Sequence, residues 1–179
     1  MTKFCPNCEE YRGTKIVERR ETYDVRGRKI TVTVEDEVCK ACGEGIGSDE
    51  HDQKVLDTLH AEYRRQVGML TPEQIKGIRK RYRLSQKSFA SLLGMSEATI
   101  NRYENGALQE PTHDNLIRAC ENAQYVHDLL QRRGWLLSDW QRRRTEEAVV
   151  PEARRGRHEP TLVRESSPAY GASSKKRRS

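Results

Sequence analysis

Residues 84–106 read LSQKSFASLLGMSEATINRYENG, and their pattern of caps, glycine and apolar residues predicts how the central part of the chain folds. Ser85 and Ser96 each stand just before a short segment with helical apolar spacing, which is typical of helix N-caps. Gly94 lies between the two segments, where its freedom to take a positive φ allows a tight turn. Two short helices joined by a glycine turn predict a helix-turn-helix. The side chains predicted to face inward are Phe89, Leu92, Leu93, Ile100 and Tyr103.

The second helix of such a motif enters the major groove of DNA, where its N-terminal side chains reach base edges. Arg102 suits guanine and Asn101 suits adenine, since each offers a bidentate hydrogen-bonding pattern. Arg81 and Arg83, just before the motif, are candidate phosphate contacts. The alternative is an ordinary helical bundle with solvated arginines, and the specificity of the run disfavours it. The residues expected to bind DNA are Gln86, Lys87, Ser96, Glu97, Ala98, Thr99, Asn101 and Arg102.

Upstream, four of the five cysteines form two C-x2-C pairs, Cys5-Pro-Asn-Cys8 and Cys39-Lys-Ala-Cys42. Two such pairs in one short region are typical of a tetrahedral four-cysteine zinc site. Because protein ligands would fill every position, we expect one structural zinc per chain rather than a catalytic one. Disulfides and free thiols are the alternatives, and a cytoplasmic setting disfavours disulfides. The fifth cysteine, Cys120, lies at a helical and partly apolar position, which is typical of a small core residue.

The sequence between the cysteine pairs has the pattern of β-strands. Residues 14–25 and 29–38 are rich in Val, Ile, Thr and Tyr, and Ile30, Val32 and Val34 alternate with polar residues. Such alternation predicts a half-exposed strand, and residues 26–28 read RGR, which suits a hairpin turn. A long hairpin that returns the second cysteine pair beside the first is a zinc-ribbon-like arrangement. With few apolar residues, this region would draw much of its folding free energy from zinc binding.

Helical patterns occupy most of the rest. Ser48 can cap a linker helix over residues 49–67, with acidic residues in its first turn and arginines in its last, as the helix dipole favours. Pro111 starts a further helical region that completes the domain or pairs across a two-fold dimer, the common assembly of helix-turn-helix proteins. From Pro151 onward the chain is rich in Pro, Ser, Gly and Arg, which is typical of disorder. That tail is either a basic arm with nonspecific DNA affinity or only a solvated end.

These patterns predict an α+β chain built from small modules. Charged and hydrophobic residues each make up 34% of the 179 residues, which disfavours one large core. The expected organisation is a four-cysteine zinc-binding β domain over 1–47, a linker helix over 48–70, a helix-turn-helix domain over 71–134, a possible extra helix over 135–150 and a disordered basic tail over 151–179.

The net charge of +6 is unevenly distributed. Residues 1–70 carry 12 basic and 14 acidic side chains, whereas residues 71–133 carry 10 and 7, and residues 151–179 carry 8 and 3. A basic middle and tail suit an anionic partner, nucleic acid above all. No apolar run approaches the roughly 20 residues that span a bilayer, and the first residues lack an apolar signal core. We therefore expect a soluble cytoplasmic protein with no membrane partner.

The combination of motifs resembles the MqsA family of antitoxins, in which a YgiT-type zinc finger precedes an Xre/Cro-type helix-turn-helix. The resemblance rests on the two cysteine pairs, on residues 25–29, which read VRGRK, and on residues 101–106, which read NRYENG. It covers about residues 3–133. Zinc knuckles alone occur in many proteins, whereas the order of zinc hairpin, linker helix and this helix-turn-helix is much narrower.

The resemblance implies that the N-terminal zinc domain binds and neutralises a cognate toxin, often an mRNA-cleaving one. It also implies that the C-terminal domain dimerises and binds the promoter of its own operon. In the family, an asparagine and an arginine of the recognition helix read bases. The arginine matches Arg102, whereas the asparagine falls near Ala98, with Asn101 close by.

Three classes of function are thus weighed: an antitoxin that is also an autorepressor, a plain zinc-containing transcription regulator without a toxin partner, and an enzyme. The sequence offers no open metal site, no glycine-rich phosphate loop and no nucleophile paired with a base. His113 and His127 lie at helical positions where lone histidines are usually structural. We therefore expect no enzyme. The first two classes both predict DNA binding, and they differ only in the partner of the N-terminal domain.

Overall fold

The computed structural model of the chain describes residues 2–155. Its N-terminal part is an antiparallel sheet of three strands in the order β1-β2-β3, with β1 at Thr2–Cys5, β2 at Glu10–Val25 and β3 at Arg28–Cys39. Arg26 and Gly27 connect the two long strands with φ values of 53° and 78°. Two central residues with positive φ define the hairpin turn whose twist matches that of the strands. The predicted hairpin is therefore present, and its turn is two residues long.

One face of β3 builds a small core against the linker helix. Alternate side chains of the strand are buried, as the period of two requires. They pack on α1, Asp49–Val67, which Ser48 caps by accepting a hydrogen bond from the His51 backbone N–H. Gly68, at φ 71°, ends the helix in the left-handed region. The buried members of this cluster are Ile30, Val32, Val34, Leu59 and Tyr63.

Helices form the remainder of residues 2–155 and enclose a second, larger core. Their bounds are Pro72–Arg81 for α2, Gln86–Leu93 for α3, Glu97–Glu104 for α4, Pro111–Ala119 for α5, Ala123–Arg133 for α6 and Asp139–Arg155 for α7, with a 3-10 turn at Gly134–Leu136. Cys120 is buried in this core, as predicted. Among the described residues, no helix combines the length and the apolar character that crossing a membrane requires. The α+β fold class is thus confirmed.

The sheet and the helical part meet at the loop that follows α4. At the hairpin tip, the Arg26 guanidinium donates to the backbone oxygen of Gln109 at 2.6 Å. From α1, the buried Arg64 donates to the backbone oxygens of Gly106 at 2.6 Å and Ala107 at 3.0 Å. Carbonyl groups at such a junction need donors, since burying them unpaired costs several kcal/mol. Both N-terminal elements therefore hold the segment directly behind α4.

The prediction that disorder begins at residue 151 is wrong for residues 151–155. Helix α7 passes through Pro151 and ends at Arg155, although proline removes one backbone donor from a helix. The reason is tertiary, because Val149 and Ala153 on either side are buried in the helical core. Glu152 also accepts a hydrogen bond from Arg81 at 2.7 Å. The rest of the predicted tail, residues 156–179, lies outside the described residues.

Candidate metal centre and nucleic-acid interface

The sheet brings the four paired cysteines together at one end. Their Sγ atoms all lie within 4.8 Å of one another. Cys5 ends β1 and Cys39 ends β3, while Cys8 and Cys42 lie in the turns that follow those strands. The register explains the convergence, since Cys5 pairs with Glu10 of β2 and Cys39 pairs with Thr14 only four residues further along. A hairpin of this length is what returns the second pair to the first.

Backbone groups around the second pair shape the turn and favour a thiolate. Gly43, at φ 78°, donates its N–H to the Cys39 backbone oxygen at 2.9 Å, closing a tight turn. The backbone N–H of Glu44 and the side chain of Asn7 lower the pKa of Cys42 to about 6, because both stabilise its negative charge. The pKa of Cys8 is raised to about 12, chiefly because its thiol donates to the Cys42 sulfur. Donors around the second cysteine pair therefore favour the deprotonated form of Cys42, which is the form that binds a metal.

The arrangement fits a structural metal ion in a tetrahedral sulfur site. With metal–sulfur bonds of about 2.3 Å, tetrahedral sulfurs lie about 3.8 Å apart, and the Cys5 and Cys42 sulfurs lie 3.5 Å apart. Four cysteine ligands leave no position for water, which is the mark of a structural site. The two histidines nearest to the cysteines in sequence contact other groups: His51 pairs with Asp36 at 2.9 Å, and His60 contacts the Gly106 backbone oxygen. The four predicted ligands are thus brought together, and these histidines are not among them.

The predicted helix-turn-helix is formed by α3 and α4. Ser85 and Ser96 cap the two helices by accepting hydrogen bonds from the backbone N–H groups of Ser88 and Thr99. Gly94 takes φ 77° in the turn between them. The predicted inward side chains are buried, as the 3.6-residue period requires. The sequence signals for caps, turn and core therefore agree with the structure at each of these positions.

The opposite face of α4 is open to solvent. Glu97, Ala98, Asn101 and Arg102 are exposed, as is Lys87 on α3, while Thr99 is half-buried. Within residues 2–155, the Arg102 guanidinium has no ion-pair partner. A free guanidinium on the exposed face of this helix can present its planar fork to a base edge or a phosphate.

Four of the predicted DNA-binding side chains are also hydrogen-bonded within the fold. Gln86 donates to a Glu104 carboxylate oxygen at 2.8 Å and accepts from the Asn101 amide at 3.3 Å. The Asn101 oxygen in turn accepts from Asn105 at 3.1 Å. The Ser96 hydroxyl shares a hydrogen bond with that of Thr99 at 2.8 Å. These bonds fix the orientation of Asn101 and Gln86 before any ligand arrives.

A buried ion pair fastens α4 to α2. The Arg79 guanidinium donates to both carboxylate oxygens of Glu104, at 2.6 and 2.7 Å, and to the Leu84 backbone oxygen at 2.9 Å. The two side chains are only 10% and 3% exposed. This ion pair is absent from the expectations drawn from the sequence. The available signal was that Arg79 falls within the apolar stripe of α2, next to Ile78, where a charge needs a partner.

The arginines that precede the motif are not free. Arg81 donates to Glu152 at 2.7 Å, and Arg83 lies 3.6 Å from Glu147. Both carboxylates belong to α7. The two arginines are predicted phosphate contacts, and in this structure their guanidinium groups face carboxylates of α7.

The family comparison covers most of the chain. Residues 2–131 match the family model described as MqsA, the antitoxin component of a bacterial toxin-antitoxin system. A search of curated proteins found no match. The matched range includes both cysteine pairs, the linker helix and the helix-turn-helix, and it ends within α6.

Proposed function

The chain belongs to the MqsA family of antitoxins, and from this membership we propose that it acts in two parts within a type II toxin–antitoxin system. The N-terminal module binds and neutralises the cognate toxin. The helical part binds double-stranded DNA at the promoter of its own operon, as a homodimer, and represses transcription. Neither part needs catalysis of its own.

The metal of the N-terminal module is proposed to be zinc, one ion per chain. Four clustered thiols are a soft donor set that suits zinc in a tetrahedral site. Cys5, Cys8, Cys39 and Cys42 would hold the ion, which would pin both strand ends of the hairpin and supply folding free energy. This module carries little other core, since the buried part of β3 relies on packing against α1.

The docking surface for the toxin is proposed on the exposed aromatic pair of this module. Phe4 on β1 and Tyr11 on β2 are cross-strand partners with ring centroids 5.7 Å apart, and they are 51% and 76% exposed. Large exposed aromatic side chains are typical of binding surfaces. The net charge of −2 over residues 1–70 suits the basic surface of an mRNA-cleaving toxin.

The observation that carries the DNA-binding proposal is the face of α4. Its inward residues Ile100 and Tyr103 are buried, so that the neighbouring positions of the helix point Arg102 and Asn101 to solvent. In this motif that face lies in the major groove. A two-fold dimer would present two such helices to half-sites about one turn of DNA apart, roughly 34 Å.

The DNA-binding proposal is tested with Arg102→Ala and two companion variants, using the duplex upstream of the gene that encodes this chain and a random duplex of equal length. Arg102→Ala should cost about 1–3 kcal/mol on the upstream duplex and relax sequence preference, because a base contact is lost. Lys87→Ala should lower the affinity for both duplexes to the same extent, since a phosphate contact carries no sequence information. Arg20→Ala, on the exposed sheet, is the matched control. Unchanged preference in Arg102→Ala would exclude it as a base-reading residue.

The toxin proposal is tested by growth. The gene adjacent to this one is expressed alone and then together with this chain, and mRNA cleavage by its product is assayed. Growth arrest that this chain relieves is the expected outcome. A harmless neighbour, or toxicity without rescue, would favour a plain zinc-containing transcription regulator.

A further inference from the structure

Residues 132–144 read RRGWLLSDWQRRR and have an unusual composition. This arginine–tryptophan segment holds five arginines, one acidic residue and both tryptophans of the chain. It links the end of α6 to the first turns of α7. The family match ends at residue 131, one residue before the segment begins. Its role is therefore not covered by that match.

The segment borders the N-terminal ends of both helices of the helix-turn-helix. At one end, the Arg133 guanidinium lies against Gly94, which is two residues before the N-cap of α4. A Cβ atom added to Gly94 would be only 3.0 Å from it. At the other end, Gln141 donates to the Arg83 backbone oxygen at 2.9 Å, two residues before the cap of α3. Helix N-termini present free N–H groups and a positive dipole end, which suit phosphate.

The segment is anchored and yet keeps its large polar and aromatic groups outside. Two residues of the segment, Leu137 and Gln141, are buried and hold it against the rest of the protein. Trp135 and Trp140 are 74% and 64% exposed, and the Arg144 guanidinium stacks over the Trp140 ring at 5.1 Å. An open cleft of about 550 Å³ lies here, lined by Arg83, Asp139, Trp140, Arg143, Arg144 and Glu147. Exposed tryptophans held on a fixed backbone indicate a contact surface.

We propose that the arginine–tryptophan segment is a second DNA-contact surface, which binds the sugar–phosphate backbone that flanks the site contacted by α4. The proposal rests on the proposed DNA-binding function and extends the footprint of the protein beyond α3 and α4. Arg143 and Arg144 neutralise phosphates. Trp135 and Trp140 pack against the sugars beside them.

Charge decides between this occupant and a second copy of the chain. Five arginines against one aspartate give the segment a net charge of +4. Glu146 pairs with Arg142 and Glu147 with Arg83, and Arg143 and Arg144 have no ion pair within residues 2–155. A two-fold interface through this face would set that charge against its own copy, and like charges in contact oppose association. DNA carries one negative charge per 1.7 Å of helix axis and complements the segment. The surface is also continuous with the two helix ends that the motif itself turns to phosphates.

The test compares two double variants that remove the same charge. Arg143→Gln with Arg144→Gln alters the segment, while Lys15→Gln with Arg20→Gln alters exposed positions of β2. Affinity for the upstream duplex and for a random duplex is measured over a range of KCl concentrations. The slope of log affinity against log salt is negative, and each lost phosphate contact makes it shallower by about 0.9. The slope of the segment variant should therefore be shallower than that of wild type by about 1.8. Its preference for the upstream duplex should stay, and the β2 variant should keep the wild-type slope.

Fluorescence supplies a second readout. In Trp135→Phe, Trp140 is the sole tryptophan, and its emission should change when either duplex is added. An unchanged salt slope in the segment variant, or unchanged Trp140 emission on saturation with DNA, would overturn the proposal. So would a shift of the segment variant from dimer to monomer in sedimentation, because the face would then join two copies.

Failure of this inference is separable from failure of the proposed function. If Arg102→Ala loses its preference for the upstream duplex while the segment variant binds like wild type, only the second surface is refuted. If the wild-type chain binds neither duplex, the DNA-binding function fails and the second surface fails with it.

Discussion

Replacing Glu104 by alanine should destabilise the helical domain by about 3–5 kcal/mol, because it leaves the Arg79 guanidinium buried without its carboxylate. Two charge-assisted hydrogen bonds are lost, at 2.6 and 2.7 Å, and such bonds contribute about 1.5–3 kcal/mol each. Arg79 keeps only its bond to the Leu84 backbone oxygen. Gln86 loses its acceptor as well.

The matched variant replaces both partners, Arg79→Met with Glu104→Leu. Because no charge is then left buried and unpaired, its stability should lie within about 1 kcal/mol of wild type. The assay is urea unfolding at pH 7, followed by circular dichroism, with the midpoint and the slope fitted separately. A loss below about 1 kcal/mol in Glu104→Ala would refute the reasoning, as would a double variant no more stable than the single one.

The Arg79–Glu104 ion pair also predicts that the stability of the helical domain depends on pH. Burial alone would raise the pKa of Glu104, but hydrogen bonds from Arg79 and Gln86, together with the Arg79 charge, outweigh it and lower the pKa below its ordinary value of 4.5. A lowered carboxyl pKa stabilises the fold above the unfolded value, and this contribution is lost as the pH falls through the folded value. The stability gap between wild type and Glu104→Gln should therefore be full at neutral pH and shrink below about pH 4.5.

Three further predictions concern the other parts of the chain. Cys39→Ser should release zinc and unfold the sheet, whereas Cys120→Ala should keep one zinc per chain; native circular dichroism with full zinc content in Cys39→Ser would exclude the four-cysteine site. Tyr11→Ala should weaken toxin binding at least about tenfold while the zinc content stays constant, since an exposed aromatic is lost from the docking surface; equal affinity by calorimetry would move that surface elsewhere. Removing residues 156–179, which carry six basic and two acidic side chains, should reduce the salt dependence of DNA binding, and an identical slope would mean that the tail touches no phosphate.

Local signals in the sequence carry much of the fold. Caps, turn glycines and periodic apolar residues act over a few positions, so Ser85, Gly94 and Ser96 can be assigned by inspection, and the structure places all three as predicted. The cysteine pairs are equally local, and the alternating pattern of β3 fixes which face is buried. Strand β1 escaped notice because four residues show no period. It forms by pairing with β2, and its register brings Cys5 to the other cysteines.

Contacts between distant positions were beyond such reasoning, and they change how the basic surface is understood. Arg81 and Arg83 look like free phosphate contacts when only their neighbours in sequence are considered. Their carboxylate partners stand on α7, and Arg81 and Glu152 are 71 positions apart. No spacing rule links them, because the pairing depends on how α7 packs against α6 and on the burial of Val149 and Ala153. The consequence is that α7 places carboxylates beside Arg81 and Arg83 and also brings Arg143 and Arg144 to the cleft that Arg83 lines. Helix α7 therefore adds positive charge of its own beside the motif.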